Sequence, residues 1–184
     1  CGMMRYFLLG PDKRISDAPV CENFNQRVDI RKLNPEQSWE IPSRVLVTLE
    51  QNAYTVFPDV MIAPVLMFSP EAWKVVGDYE PYLKAKEVVL LDQVNALTQI
   101  YFLPILTQLD CLAEQSPYDR VGGLLNEPVL YDEIPTLLSL FQISGMRTPH
   151  TIMRMDLMES LLCRNLYGVK MTEVRLLQRE KGGT

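Results

Sequence analysis

The sequence predicts an α+β fold: a mostly antiparallel or mixed sheet carrying two short helices, each inside a strand–helix–strand unit. Three observations predict it. Short apolar runs with period-2 alternation recur along the chain, most clearly at residues 44–50, RVLVTLE. Residues 65–76 (VLMFSPEAWKVV) and 151–162 (TIMRMDLMESLL) both run from an extended stretch through a turn into helical apolar spacing. The chain has 184 residues, 47% hydrophobic and 22% charged, which suits one folded domain over 1–184 with a core of its own. Within it, 1–60 reads as a loop-rich N-terminal part, 61–112 as the first strand–helix–strand unit with a following strand, and 138–178 as the second unit.

The elements follow in order. Residues 4–9, MRYFLL, form an apolar and aromatic strand closed by Gly10-Pro11-Asp12. Residues 12–43 carry Pro19, Pro35 and Pro42 and read as extended loop, with a short strand near 28–30 and Trp39 anchoring the loop on the core. In 44–50, Val45, Val47 and Leu49 point to one side, the mark of a half-buried strand. Residues 61–68 are a continuous apolar run, expected as one strand buried on both faces. Ser69 is a good N-cap, Pro70 fits the first helical position, and Glu71 meets the positive end of the helix dipole. That helix is expected to stop near Gly77.

Residues 87–92 and 99–106 are the next strands, and Pro104 assigns the second to a sheet edge or a bulge. Residues 113–127 form a loop around Gly122-Gly123. Strands are expected at 128–131, 138–143 and 151–153, and a helix over 156–164 with Leu157, Met158, Leu161 and Leu162 facing inward. One strand over 169–177 closes the fold, and 180–184 fray. The similarity between 65–76 and 151–162 is equally compatible with duplication and with chance, so no repeat is assigned from it.

The formal net charge of −5 argues against a nucleic-acid partner, which calls for a basic surface. The charge is uneven: residues 1–146 carry a net of −8 and 147–184 a net of +3. Asp110, Glu114, Asp119, Glu127, Asp132 and Glu133 face only Arg120 within 110–133. They form a solvated loop surface or an acidic patch for a basic partner. Four scattered cysteines, no CxxC and a single histidine leave no ligand set for zinc, and reduced, packed thiols are expected. Cys1-Gly2 reads as an expression remnant ahead of Met3 or Met4; a mature lipoprotein would also begin with Cys. No apolar run reaches the roughly 20 residues of a membrane helix. The reading is a cytoplasmic protein without a membrane partner and without a cofactor.

No motif announces a chemistry. Phosphate-loop, GxSxG and HExxH patterns are absent. A Cys–His or Ser–His pair would have to use His150, which Thr148-Pro149 places at the start of a strand, where a surface or edge position is expected. Asp156 and Glu159 share one helix face, and each has a structural explanation in the helix dipole or an arginine one turn away. No catalytic residue, metal ligand or cofactor-binding residue is therefore assigned. Arg147, His150, Arg154 and Arg164 gather at the basic end, where recognition by their side chains is expected instead of proton transfer.

The order LFQISG, a turn, then HTIMRMDLMESLLCRNLYGVKMTEV resembles the C-terminal part of a bacterial family of predicted immunity proteins from polymorphic-toxin systems. The opening RYFLLGPD and the central VLMFSPEAWKVV fit the same family. In NLYGVKMTEV, Gly168 allows the turn after the helix and Val169 opens the last strand. Arg154-Met155 depart from the family pattern, standing where a Ser, Thr or Asp cap is expected. The resemblance implies a non-enzymatic protein that binds and neutralises a cognate protein toxin, and the acidic N-terminal portion would suit a basic one. The candidate partner-binding residues are Arg147, His150, Arg154, Arg164, Asp119, Asp132 and Glu133. Two rival readings stand beside it: a small-molecule-binding or hydrolase-like enzyme with a diffuse site, and a structural homo-oligomer built through edge strands.

Overall fold

In the computed structural model, which describes residues 2–117 and 127–180, two five-stranded sheets are joined through a pair of helices. The strands are β1 (Tyr6–Pro11), β2 (Arg44–Thr48), β3 (Val60–Met61), β4 (Met67–Phe68), β5 (Ala85–Asp92), β6 (Leu97–Pro104), β7 (Gln108–Leu109), β8 (Val129–Tyr131), β9 (Leu140–Ile143), β10 (Thr151–Arg154), β11 (Val169–Glu173) and β12 (Arg175–Leu177). The α-helices are α1 (Phe24–Arg27), α2 (Pro70–Tyr79) and α3 (Met155–Cys163). The first sheet has the order β2-β5-β6-β4-β3 and the second β11-β1-β10-β9-β7; β8 and β12 form a separate parallel pair. This is the expected α+β class with mixed sheets.

The two sheets repeat one plan. In the first, β3-β4-β6-β5 are neighbours, all antiparallel, with α2 between β4 and β5. In the second, β9-β10-β1-β11 are neighbours, all antiparallel, with α3 between β10 and β11. The side chains repeat as well. Phe102 lies between Phe68 and Glu87, and Phe7 lies between Met153 and Glu173. The triplet Tyr-Phe-Leu occurs at 6–8 and 101–103, and Glu-Val at 87–88 and 173–174. The fold is therefore a doubled unit, with β1 filling in the second unit the place that β6 fills in the first.

The units also clasp each other reciprocally. Ser69 N donates to Asp59 O at 2.7 Å, and its counterpart Arg154 N donates to Ser139 O at 2.8 Å. Across the units, Asp59 N and Val60 N donate to Tyr167 O beyond α3. In return, Ser139 N and Leu140 N donate to the Glu80 carboxylate beyond α2 at 2.6 and 3.2 Å. The first strand of the hairpin before each helix, β3 in one unit and β9 in the other, thus begins on the helix exit of the other unit. Gly168 is required here: at φ 146°, a Cβ would sit 1.9 Å from Val60 O. Between the sheets, Ala72, Val75 and Val76 of α2 pack with Leu157 and Leu161 of α3 over Phe7, Leu9, Phe68 and Met153. Tyr79 and Ser160 join the helices by a hydroxyl–hydroxyl hydrogen bond.

Several sequence expectations are corrected. No strand forms near 28–30; a helical turn over Phe24–Arg27 and a 3-10 turn over Ile30–Lys32 stand there, with Phe24, Val28, Leu33 and Ile41 packed on the first sheet. Trp39 is 77% exposed, so these four residues anchor the segment instead. The 61–68 run is split into β3 and β4 by the turn at Ala63-Pro64, although its residues are mostly buried. Helix α2 runs through Gly77 to Tyr79 and ends before Pro81. Strand β6 lies inside the sheet between β5 and β4. Pro104 is its last residue, where a missing N–H costs little, and Ile105 N reaches Lys84 O just beyond it. The closing run is two strands, β11 and β12, in different sheets. Helix α3 starts at Met155 with no side-chain cap from Arg154; Asp156 Oδ1 accepts from Leu157 N instead. Gly122-Gly123 and residues 181–184 lie outside the described residues.

Candidate partner-binding surface

The first sheet has two unlike faces. One carries Val45, Val47, Val88, Leu90, Tyr101 and Leu103 and is buried under the 24–41 segment. On the other, α2 covers β4 and the near part of β6; outside it, among the described residues, no helix covers β5 and β2, where Leu46 is exposed although Val89 beside it is only 9% exposed. Three cross-strand rows occupy this face: Arg44, Glu87 and Phe102; Leu46, Val89 and Ile100; Thr48, Leu91 and Thr98. Alternation on the pleat puts them on one side. The first face is apolar throughout and covered; the second mixes apolar with charged and hydroxyl side chains and is covered only in part.

The charged row closes on itself. Arg44 Nε donates to Glu87 Oε2 at 2.7 Å, and Nη2 lies 2.6 Å from the same oxygen. Both groups reach solvent, so the pair adds about 0–1 kcal/mol and serves mainly to neutralise the row. Beside it, Trp73 of α2 stacks on Phe102 with centroids 5.6 Å apart and planes 12° apart, a contact worth about 0.5–1.5 kcal/mol beyond its burial. Ser69 sets this placement: its Oγ accepts from Ala72 N, turning Ala72, Val75 and Val76 inward and leaving Trp73 at the flank. Trp73, Phe102, Leu83, Arg44 and Glu87 line a groove of about 630 Å³. Beyond it, Leu46 is 55% and Ile100 39% exposed.

The second unit shows that this apolar margin is no requirement of the plan. Counted from the matched pairs Phe102–Glu87 and Phe7–Glu173, the place of Ile100 is taken by the exposed Arg5, while the chain leaves the sheet before Arg175, the counterpart of Val89 in sequence count, which opens β12 beside β8. Arg5 pairs with Glu173 at 2.6 Å and holds its carboxyl below the ordinary value. No strand in the second unit stands where β2 stands in the first.

The structure disperses the residues singled out from the sequence. Arg154 is only 8% exposed. Its Nε and Nη2 hold Asp156 at 2.8 and 2.9 Å, and Nη1 donates to Thr136 O at 2.6 Å, so it ties the 136–139 segment to α3. Burial pushes the Asp156 carboxyl up, but the Arg154 guanidinium and the Leu157 N–H together bring it below its ordinary value. His150 is 6% exposed, contrary to the expected surface or edge position, and its Nδ1–H donates to Thr148 O at 2.8 Å. Both are framework residues. Arg164 is exposed and donates to Ser160 O at the end of α3. Arg147 is exposed on the turn between β9 and β10. Asp132 and Glu133 follow β8, with Glu133 3.9 Å from Arg179, and Asp119 lies outside the described residues.

Burial raises the Cys21 and Cys111 thiols to about 11, so neither is a thiolate at neutral pH. Among the described residues, no group of three His, Cys, Asp or Glu is placed to hold a metal ion, and no helix is long and apolar enough to cross a membrane. No family model matches the chain, and no curated protein matches it. The open face escaped the sequence reading because alternation in β2 and β6 reports a strand, not which of its sides is covered. The available signal was the apolar residue on the polar phase of each strand, Leu46 and Ile100.

Proposed function

We propose that this is a non-enzymatic protein-binding domain, an immunity protein that neutralises a cognate bacterial toxin by direct binding. One observation carries the reading: the open face of the first sheet presents Leu46 and Ile100 to solvent beside the partly exposed Trp73 and Phe102, in a unit whose twin has Arg5 in the place of Ile100. A rigid sheet with a central aromatic pair and a polar rim is the anatomy of a recognition surface. The resemblance of LFQISG, VLMFSPEAWKVV and NLYGVKMTEV to predicted immunity proteins supplies the class of partner. The two packed thiols and the framework role of His150 weigh against a Cys–His nucleophile.

Co-expression tests this reading. Where a toxin-like gene is found to neighbour this one, cells expressing that candidate toxin are expected to survive when this protein is present, and the two purified proteins to form a stable complex. Death of those cells together with absence of a complex would refute the assignment. A soluble homo-oligomer closing the same face would favour the structural reading.

A further inference from the structure

The second sheet holds a site unrelated to the open face of the first. Gln108 of β7, Gln142 of β9 and Thr151 of β10 are register partners, forming a polar row across three strands. Gln142 is only 8% exposed, yet among the described residues its side-chain amide has no hydrogen-bonding partner. Such an amide, if shut away from both protein partners and water, is strongly disfavoured. It is not sealed off, because Gln142 lines a cleft of about 230 Å³ with Gln108, Arg31, Met146, Arg147 and Pro149.

Two cations border this cleft from distant parts of the chain. Arg147 makes no ion pair or hydrogen bond among the described residues. Arg31 gives Nε and Nη2 to Asp29 at 3.0 and 2.9 Å, leaving Nη1 unengaged. The turn that carries Arg147 passes through Gly145 at φ 77°. Two guanidinium groups and a side-chain amide thus border one small cleft, a set rich in N–H donors.

We propose that this cleft binds a carboxylate group, gripped by Arg147 and the free edge of Arg31 and hydrogen-bonded by the Gln142 amide. Asp29 already offsets one of the two positive charges, so the balance suits a monoanionic group better than a phosphate dianion. The volume equals about eight water molecules at liquid density, room for a small acid or an acidic side chain and too little for a nucleotide.

The side-chain N–H signals of Gln142, Gln108 and Arg147 in the full-length protein provide the test. Succinate, an acetylated Asp-Glu dipeptide amide, inorganic phosphate and sodium chloride are titrated at matched ionic strength. A carboxylate probe is expected to shift the Gln142 amide saturably. Arg147→Ala and Gln142→Leu are each expected to weaken that binding at least about tenfold, the worth of one charge-assisted hydrogen bond, while keeping the native melting temperature. Saturation by succinate identifies a free acid as the source of the carboxylate, and saturation by the dipeptide alone identifies a protein side chain. The proposal falls if neither carboxylate saturates the signal, if chloride shifts it equally, or if phosphate binds more tightly than both. The toxin test does not touch this cleft, so the two readings stand or fall separately.

Discussion

Glu80 in the first unit and Tyr167 in the second perform the same task with different chemistry. Tyr167 receives the N–H groups of Asp59 and Val60 on a backbone carbonyl; Glu80 receives those of Ser139 and Leu140, and the Ser139 hydroxyl, on a carboxylate. The helix starts differ in the same manner: Ser69 caps α2 with its hydroxyl, whereas Arg154 leaves the α3 start to Asp156. The backbone plan is held constant while side chains vary, so what the units share is framework. What only one has is a candidate for function. The second sheet is covered on both faces, by the helices and by Leu130 of β8 and Leu176 of β12. The first leaves half a face bare.

The largest effect is expected where the clasp tolerates no side chain. Gly168→Ala should destabilise the fold by at least about 3 kcal/mol, since both the left-handed φ and the 1.9 Å approach to Val60 O oppose a Cβ. Urea unfolding measures it, and a loss under about 1 kcal/mol would mean that the clasp bends easily. Glu80→Ala breaks the reciprocal contact and should cost about 2–3 kcal/mol, with Glu80→Gln recovering part of it. An unchanged midpoint for Glu80→Ala would show that the clasp works in one direction only. His150→Ala removes a buried ring and its bond to Thr148 O, and should lower stability by about 1–2 kcal/mol in a thermal melt.

Asp156 gives the smallest effect and a defined pH window. Its folded-state carboxyl lies below the ordinary value, so the Arg154–Asp156 contribution is complete above about pH 4. It disappears as pH falls through the lower folded-state value. Asp156→Asn should flatten that part of the acid-unfolding curve and leave the neutral part nearly parallel; a variant curve of identical shape would remove Asp156 from the account.

Much of the fold was legible because alternation and capping are local. Arg44–Thr48, the start of α2 at Ser69-Pro70 and the buried stripe Leu157, Met158 and Leu161 are all written within a few residues of themselves. The doubling was half legible. The strand-to-helix similarity is contiguous in sequence, but Tyr-Phe-Leu stands before one unit as β1 and after the helix of the other as β6. A linear comparison does not align the two. Residues 24–41 pack through Phe24, Val28, Leu33 and Ile41, whose spacing follows no period, so only tertiary contact defines them. Arg154 and His150 read as surface because a charged side chain and a lone histidine usually are. Their burial depends on carbonyls of the 136–138 and 148 segments, which are invisible until the chain folds.

Recognition of a partner by the bare half-face of the first sheet is tested by charging the two exposed apolar residues of its central row, Leu46 and Ile100. Leu46→Arg with Ile100→Arg, measured for melting temperature and for affinity to a toxin that the wild-type protein binds, separates the alternatives. The variant is expected to melt within about 2 °C of the wild type and to bind at least about 100-fold more weakly, having lost two apolar contacts of that face. Unchanged affinity in the folded variant would contradict it.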